Sequence, residues 1–259
     1  MQRMEYKVVI SPKMRAVEDR LMEAFVDMNH CVSELGENLI VEVPRGMCDA
    51  VRAELKMEYR DVALLKNAYP LIEDLHDFIL VKPIISESPV HVSDGVHIPD
   101  LEKWLVDHAA DKEYASQTDV DIQKAFQRSF ELYPVNLSRL YRYAGRKGEK
   151  AEIQERVERI DQRRVAIIRT IREYFQQEPI EKAWLFGSFS RMEEKPDSDI
   201  DILVDLDKTE PIGLFRFAGM INELESRLGK RVDLVERGAI KPFAMGSINR
   251  DKILIYERT

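Results

Sequence analysis

The spacing of apolar residues along the first half of the chain predicts alternating helices and strands. Apolar positions recur at three- and four-residue steps, which is typical of amphipathic helices, over 15–28, 46–59 and 100–111. Short apolar runs bounded by turn residues predict strands at 38–44, 62–67 and 77–85. This part therefore has an α/β pattern, with further helices following up to the GRKG break at 145–148.

A second group of elements follows that break. A long helix is predicted over 151–177, because apolar residues recur mostly at helical steps until Pro179 ends the pattern. Beyond it the pattern predicts four strands, AWLFGS, DIDILVDL, RVDLVER and KILIYE, together with helices at 189–194 and 213–230. We predict an α/β (α+β) protein with an α/β and helical domain over 1–148, a connecting helix over 149–178, and a domain with a short mixed sheet over 179–259.

Composition limits the class of protein. The 259 residues carry a net charge of −8, are 44% hydrophobic and contain no run near the roughly 18 apolar residues that cross a bilayer. The amino terminus lacks the apolar stretch of a secretory signal. Cys31 and Cys48 are too few for a disulfide framework, so we expect reduced thiols in a cytoplasmic protein without a membrane segment.

Aspartates crowd a strand that otherwise reads as buried. Successive side chains of a strand point to opposite faces, so Asp199 and Asp201 share one face while Ile200 and Ile202 share the other. Two adjacent carboxylates repel each other unless a cation lies between them. Mg²⁺ is the natural occupant, because it prefers a few carboxylates combined with the phosphates of a substrate.

Residues outside this strand complete a predicted site for nucleotidyl transfer. In RVDLV, Asp233 faces away from its apolar neighbours, and a neighbouring strand would place it beside the pair. Three such carboxylates can hold two metal ions and deprotonate an attacking hydroxyl. Gly187 and Ser188 lie where a strand turns into a helix, which favours phosphate binding, and Arg191 follows as a partner for a triphosphate.

The segment GSFSRMEEKPDSDIDILVD, residues 187–205, resembles the GS-x-SR...SD-x-D signature of the minimal nucleotidyltransferases, small members of the DNA polymerase β superfamily. The resemblance covers roughly residues 180–259 and implies a polymerase β-like fold for this part. It implies a phosphate turn at Gly187 and Ser188, metal ligands at Asp199 and Asp201, and a third carboxylate and base at Asp233. Arg191 carries over as a phosphate ligand, whereas Met192 stands where the family commonly has glycine.

That resemblance implies Mg²⁺-dependent transfer of a nucleoside monophosphate from an NTP to a hydroxyl group, with release of pyrophosphate. The acceptor is a protein tyrosine or serine, for example on a protein toxin, or the 3′ end of a tRNA. A small molecule such as an aminoglycoside is less expected, because no drug-binding extension is visible. The alternative is a non-catalytic antitoxin or regulatory module that neutralises a partner or binds nucleic acid, although the three intact aspartates favour catalysis.

The stretch FILVKPIISESPVHVSDGVHIPDLEKWLVDHAAD, with YPVNLSRLYRYAGRKG after it, resembles the antitoxin component of the AbiE abortive-infection systems. The resemblance covers roughly residues 60–148 and implies a toxin–antitoxin or phage-defence setting. One polypeptide would then join an antitoxin-like region to a nucleotidyltransferase domain.

Two further features of the amino-terminal part bear on nucleic-acid binding and metal binding. The tract 139–150, RLYRYAGRKGEK, has the cations and tyrosines for phosphate contacts and base stacking, or is a helix end whose tyrosines pack inward. The five histidines show no metal-ligand spacing, and His91 and His97 are expected in a loop in a structural or exposed role.

Overall fold

A computed structural model describes residues 7–25, 27–65, 77–111, 118–209, 212–240 and 242–258. The chain divides into two compact units. The amino-terminal unit includes Glu5–Ser129 and Pro134–Ile160, and the carboxy-terminal unit includes Phe130–Tyr133 and Asp161–Thr259.

A four-stranded sheet is the centre of the amino-terminal unit. Its strands are β1 (Cys31–Leu35), β2 (Asn38–Val43), β3 (Val62–Leu64) and β4 (Ile79–Pro83), in the order β1-β2-β4-β3. β1 is antiparallel to β2, whereas β4 is parallel to both β2 and β3. Helices α1 (Pro12–Ala24) and α2 (Cys48–Leu55) contribute fully buried residues to its core, among them Met14, Val17, Val51 and Leu55. The predicted strand at 62–67 extends past the described residues, which end at 65.

The predicted loop that holds His91 and His97 is wrong, because these residues lie on a β-hairpin. β5 (Val90–Ser93) pairs antiparallel with β6 (Val96–Pro99), and His91 lies opposite Ile98. The turn is Asp94–Gly95, with positive φ angles of 48° and 79°. Asp-Gly with two positive φ angles is the turn that best fits the twist of paired strands, so the sequence did contain the hairpin signal.

Among the described residues, the hairpin is followed by helices α3 (Leu101–Ala110), α4 (Asp119–Leu132), α5 (Leu137–Lys147) and α6 (Lys150–Glu158). The N-cap of α5 is Asn136, whose side chain accepts a hydrogen bond from the Arg139 N–H at 3.1 Å. It ends at Gly148, whose φ of 86° is the left-handed conformation that a helix C-cap needs. This confirms the predicted helix stop within the GRKG segment.

A buried network of charges joins α3 to α5. Lys103 is 1% exposed and lies 2.5 Å from the Glu42 carboxylate on β2, with Asp107 as its second partner. The Tyr143 hydroxyl donates to Asp107 at 2.8 Å, and Lys147 lies 2.7 Å from the same carboxylate. Each charge is therefore compensated, which a charge removed from water requires.

These contacts bear on the predicted nucleic-acid tract at 139–150. Tyr143 is buried, as in the alternative where tyrosines pack inward, while Tyr141 is half-buried. Arg139 pairs with Asp100 and Arg146 with Glu87. Because carboxylates of the same unit already neutralise these cations, the packing interpretation is the one that the geometry favours.

The carboxy-terminal unit begins with α7 (Gln162–Phe175), and the single helix predicted over 151–177 is wrong. The helix is interrupted between α6 and α7. Asp161 has the extended conformation of an N-cap, and its carboxylate accepts a hydrogen bond from the Arg163 N–H at 2.8 Å. A local capping residue therefore interrupts an apolar pattern that continues across the break.

A second four-stranded sheet forms the core of this unit. Its strands are β7 (Ile180–Phe186), β8 (Ile200–Leu206), β9 (Val232–Glu236) and β10 (Ile253–Glu257), in the order β10-β7-β8-β9. β7 is antiparallel to β8 and β10, and β8 is parallel to β9. Three helices complete the unit: α8 (Gly187–Arg191), α9 (Leu214–Leu228) and α10 (Pro242–Asp251).

The predicted α/β class with a short mixed sheet is confirmed. α7 and α9 bury an apolar stripe against one face of the sheet, including Ile168, Ile171, Phe175 and Leu224. Within the described ranges, every helix is too short or too polar to cross a membrane.

Candidate active site

Three aspartates come together at one edge of the carboxy-terminal sheet. Asp201 on β8 is directly opposite Asp233 on the parallel strand β9, and Asp199 lies two residues earlier, just before β8 begins. The neighbouring residues Ile200, Ile202 and Val232 are buried and hold the strands in this register. The predicted proximity of Asp233 to the Asp199–Asp201 pair is thus present in the structure.

The carboxylates repel one another when no cation is bound. Burial, followed by the charges of Asp233 and Asp199, raises the pKa of Asp201 above its ordinary value. A nearby cation would stabilise the ionised form of such a carboxyl group.

The environment of Asp199 also favours a cation. Its Oδ1 atom lies 2.8 Å from the Arg231 guanidinium, which is 75% exposed. The same buried oxygen nevertheless has no hydrogen bond of acceptable geometry within the described part of the chain. A carboxylate oxygen whose partner is a largely exposed arginine in poor hydrogen-bond geometry, beside two other carboxylates, fits the oxygen-only coordination that Mg²⁺ prefers.

Gly187 forms a close contact with the carboxylate edge. It follows β7 with a φ of 68°, a conformation that favours glycine. A Cβ atom at this position would lie 2.9 Å from Cγ of Asp201, which is too close for a carbon–carbon contact. The absent side chain therefore leaves the space in which the Asp201 carboxylate lies.

Gly187→Ala is expected to lower both stability and activity. The left-handed conformation costs alanine about 1–2 kcal/mol. Displacing the Asp201 carboxylate is expected to slow nucleotidyl transfer by about 10²-fold, since small misplacements of reacting groups have effects of this size. The measurements are the free energy of unfolding and the transfer rate.

Gly229→Ala is the matched control for this substitution. Gly229 has a φ of 62°, and an added Cβ would meet nothing within 4 Å. It should therefore lose comparable stability but keep its activity. Equal transfer rates for the two variants would show that the contact between Gly187 and Asp201 is unimportant.

The remaining predicted residues lie on or beside α8. Ser188 is half-buried, and its carbonyl accepts from the Glu193 N–H at 3.0 Å. Arg191 is exposed and pairs with Glu193 at 2.7 Å and with Asp251 at 2.9 Å. Its guanidinium must exchange these partners to contact a triphosphate. Met192 adopts a φ of 59°, which explains why glycine suits this position in the family that the segment resembles.

Arg164 on α7 supports the turn that carries Gly187 and Ser188, and the sequence analysis did not identify it. Its side chain is 7% exposed, and its guanidinium donates to Glu131 at 2.7 Å and to the Phe189 carbonyl at 3.0 Å. It also pairs with Glu194 and lies over the Phe189 ring, 4.2 Å from the centroid. An arginine in the apolar stripe of α7, four residues before Ile168, was the available signal.

Comparison with protein families identifies both parts of the chain. Residues 1–163 match the model described as "Family of unknown function (DUF6577)". The chain belongs to the DUF6577 family. Residues 168–255 match the model described as "Nucleotidyltransferase domain", so this DUF6577 protein is a nucleotidyltransferase. The resemblance of residues 60–148 to the AbiE antitoxin stays a prediction.

The curated relatives each match a stretch of about 72 residues of this chain. A Methanocaldococcus jannaschii protein with the provisional name of protein adenylyltransferase is 43% identical over 72 residues, which are 27% of this chain and 71% of that protein. Protein adenylyltransferase MntA of Thermococcus cleftensis is 38% identical over 71 residues, 27% of this chain and 70% of that protein. A stretch of the DUF6577 protein is therefore similar in sequence to proteins named as protein adenylyltransferases.

Solved structures also align with part of this chain. A toxin–antitoxin crystal structure with AMP-PNP is 20% identical, covers 36% of this chain and 74% of its own, and has a TM-score of 0.32. The tri-AMPylated HEPN toxin of Shewanella oneidensis in complex with MNT antitoxin gives 19% identity, covers 36% and 71%, and has a TM-score of 0.29.

Proposed function

We propose that the DUF6577 protein transfers AMP from ATP to a hydroxyl group of a protein partner in a toxin–antitoxin or phage-defence setting. The direct opposition of Asp201 and Asp233 on parallel strands, with Asp199 beside them, is the observation that supports this proposal most strongly. The choice of ATP and of a protein acceptor is supported by the relatives, which are named as protein adenylyltransferases. The setting follows from the predicted resemblance of residues 60–148 to the AbiE antitoxin and is part of the proposal.

Each residue of the site has a role in this reaction. Asp199, Asp201 and Asp233 would hold Mg²⁺, which supplies positive charge to the triphosphate and the acceptor oxygen. Asp233, the most exposed of the three, accepts the proton from the acceptor hydroxyl. The backbone N–H groups of the turn at Gly187 and Ser188 bind phosphate oxygens, and Arg191 pairs with the triphosphate.

Atoms and electrons are conserved in this reaction. The acceptor oxygen forms a bond to the α-phosphorus of ATP while the bond between that phosphorus and the bridging oxygen to the β-phosphate breaks. Pyrophosphate leaves with the electron pair of the broken bond, and the hydroxyl proton passes to Asp233. The products are an adenylylated protein and pyrophosphate.

Labelling with each α-³²P NTP tests the proposal. The full chain and its Asp199→Asn/Asp201→Asn variant are incubated with Mg²⁺ and either a cell lysate or total tRNA. We expect label from ATP on a protease-sensitive band that is absent with the variant. Label only in RNA would overturn the protein acceptor, and absence of any label would favour the non-catalytic binding module.

A further inference from the structure

Three metal-ligating side chains meet in the amino-terminal unit, apart from the aspartates of the active site. They are Glu18 on α1, His30 just before β1 and His97 on β6, and their ligand atoms all lie within 4.8 Å of one another. Glu18 and His30 are each 1% exposed, whereas 29% of the His97 side chain is exposed. The cluster is therefore buried on two sides and open to solvent at one residue.

The carboxylate of Glu18 contacts each imidazole with a different oxygen. Oε2 lies 2.9 Å from Nε2 of His30, and Oε1 lies 2.6 Å from Nδ1 of His97. The two rings are adjacent, with centroids 4.3 Å apart. Three metal-ligating side chains thus converge from separate elements of the amino-terminal unit.

The second nitrogen of His30 fixes the tautomer of its ring. Nδ1 lies 2.8 Å from the carbonyl oxygen of Met28, which only accepts hydrogen bonds, so Nδ1 carries a proton. In a neutral ring, the Nε2 lone pair then faces the Glu18 carboxylate, so this contact is held either by a proton on Nε2 or by a metal ion between the two groups. A backbone carbonyl on the remaining N–H is the usual arrangement for a histidine that ligates a metal.

We propose that Glu18, His30 and His97 bind one Zn²⁺ ion. Two imidazoles and a carboxylate are an established donor set for zinc, whereas Mg²⁺ prefers oxygen ligands. Ligands about 2.1 Å from a tetrahedral ion lie about 3.4 Å from one another, so modest opening of the two contacts admits the ion. The exposed side of His97 leaves the fourth position to water.

Such an ion would join α1 to the β5–β6 hairpin. Glu18 comes from the helix and His97 from the hairpin, so zinc binding would stabilise the folded amino-terminal unit by mass action. Zinc binding does not depend on the proposed transfer reaction, so either proposal can be overturned without the other.

Zinc titration of the full chain tests this proposal. The protein is stripped with a chelator and titrated with Zn²⁺ against a chromophoric competitor, in excess Mg²⁺ to occupy oxygen-only sites. We expect one Zn²⁺ per chain, a higher unfolding temperature with zinc, and binding about 10²-fold weaker in His97→Ala. His91→Ala is the matched control, since His91 lies on the same hairpin, pairs with Asp100 at 2.6 Å and, among the described residues, belongs to no cluster of three metal-ligating side chains.

Cobalt provides a measurement that needs no variant. Co²⁺ bound to wild type in a tetrahedral site should absorb strongly in the visible range, and added Zn²⁺ should remove that band. Equal zinc affinities for His97→Ala and His91→Ala would overturn the proposal. If His97→Ala does not fold, the wild-type protein provides the test. Absence of both one Zn²⁺ per chain and the cobalt band would overturn the proposal, and Glu18, His30 and His97 would then form a hydrogen-bonded ion pair.

Discussion

Asp201→Asn is expected to slow nucleotidyl transfer by about 10³-fold while leaving the protein folded. Asp201 lies between Asp199 and Asp233, so its loss weakens the hold on a metal whose charge stabilises the transition state by several kcal/mol. About 4 kcal/mol corresponds to this change in rate. The measurement is single-turnover transfer from α-labelled ATP at saturating Mg²⁺.

The same substitution should raise the unfolding temperature of the metal-free protein. Burial and two neighbouring carboxylates disfavour the ionised Asp201, and asparagine removes that repulsion without changing the size of the side chain. Mg²⁺ should then stabilise wild type more than the variant. Lower stability of the metal-free variant would contradict the repulsion inferred for this edge of the sheet.

Asp205→Asn is the matched control for Asp201→Asn. Asp205 is half-buried at the other end of β8 and pairs with Arg237 at 3.1 Å. It should leave the transfer rate unchanged. An equal loss of activity in both variants would mean that the effect reflects the strand as a whole and not the carboxylate cluster.

Arg164→Met is expected to destabilise the carboxy-terminal unit by about 3–5 kcal/mol, because it removes the guanidinium that pairs with the buried carboxylate of Glu131. The Phe189 carbonyl also loses a donor at 3.0 Å, so the turn at 187–191 should become less ordered. Chemical denaturation measures the loss. The chain has two tryptophans, so a Trp104→Phe background makes Trp184 the fluorescent reporter of this unit.

Arg169→Met on the same helix is the control for Arg164→Met. Arg169 is 54% exposed and lies 4.0 Å from Glu173, so its removal should cost less than about 0.5 kcal/mol. Adding Glu131→Gln to Arg164→Met should recover part of the loss, because it removes the buried charge that had paired with the Arg164 guanidinium. Similar stabilities for the Arg164 and Arg169 variants would refute the positioning role of Arg164.

The core of the proposed active site was predictable because its information is local. Asp199 and Asp201 share a strand face through simple alternation, and Gly187 and Ser188 mark a strand-to-helix turn within the same short segment. The α/β class followed in the same way from the period of the apolar residues. Local capping is equally short-range, yet the Asp161 N-cap was missed because the apolar pattern continues across it.

Other parts of the protein depend on which distant segments the fold brings together. The parallel register places Asp233 opposite Asp201, and Arg164 meets a carboxylate 33 residues away in Glu131. His97 reaches Glu18 across 79 residues, although no histidine spacing suggested a metal site. The alternation of a strand and the period of a helix predict which face a side chain occupies. Its partner on that face is set by long-range packing, because the hydrophobic effect is non-directional and does not specify which segments pair.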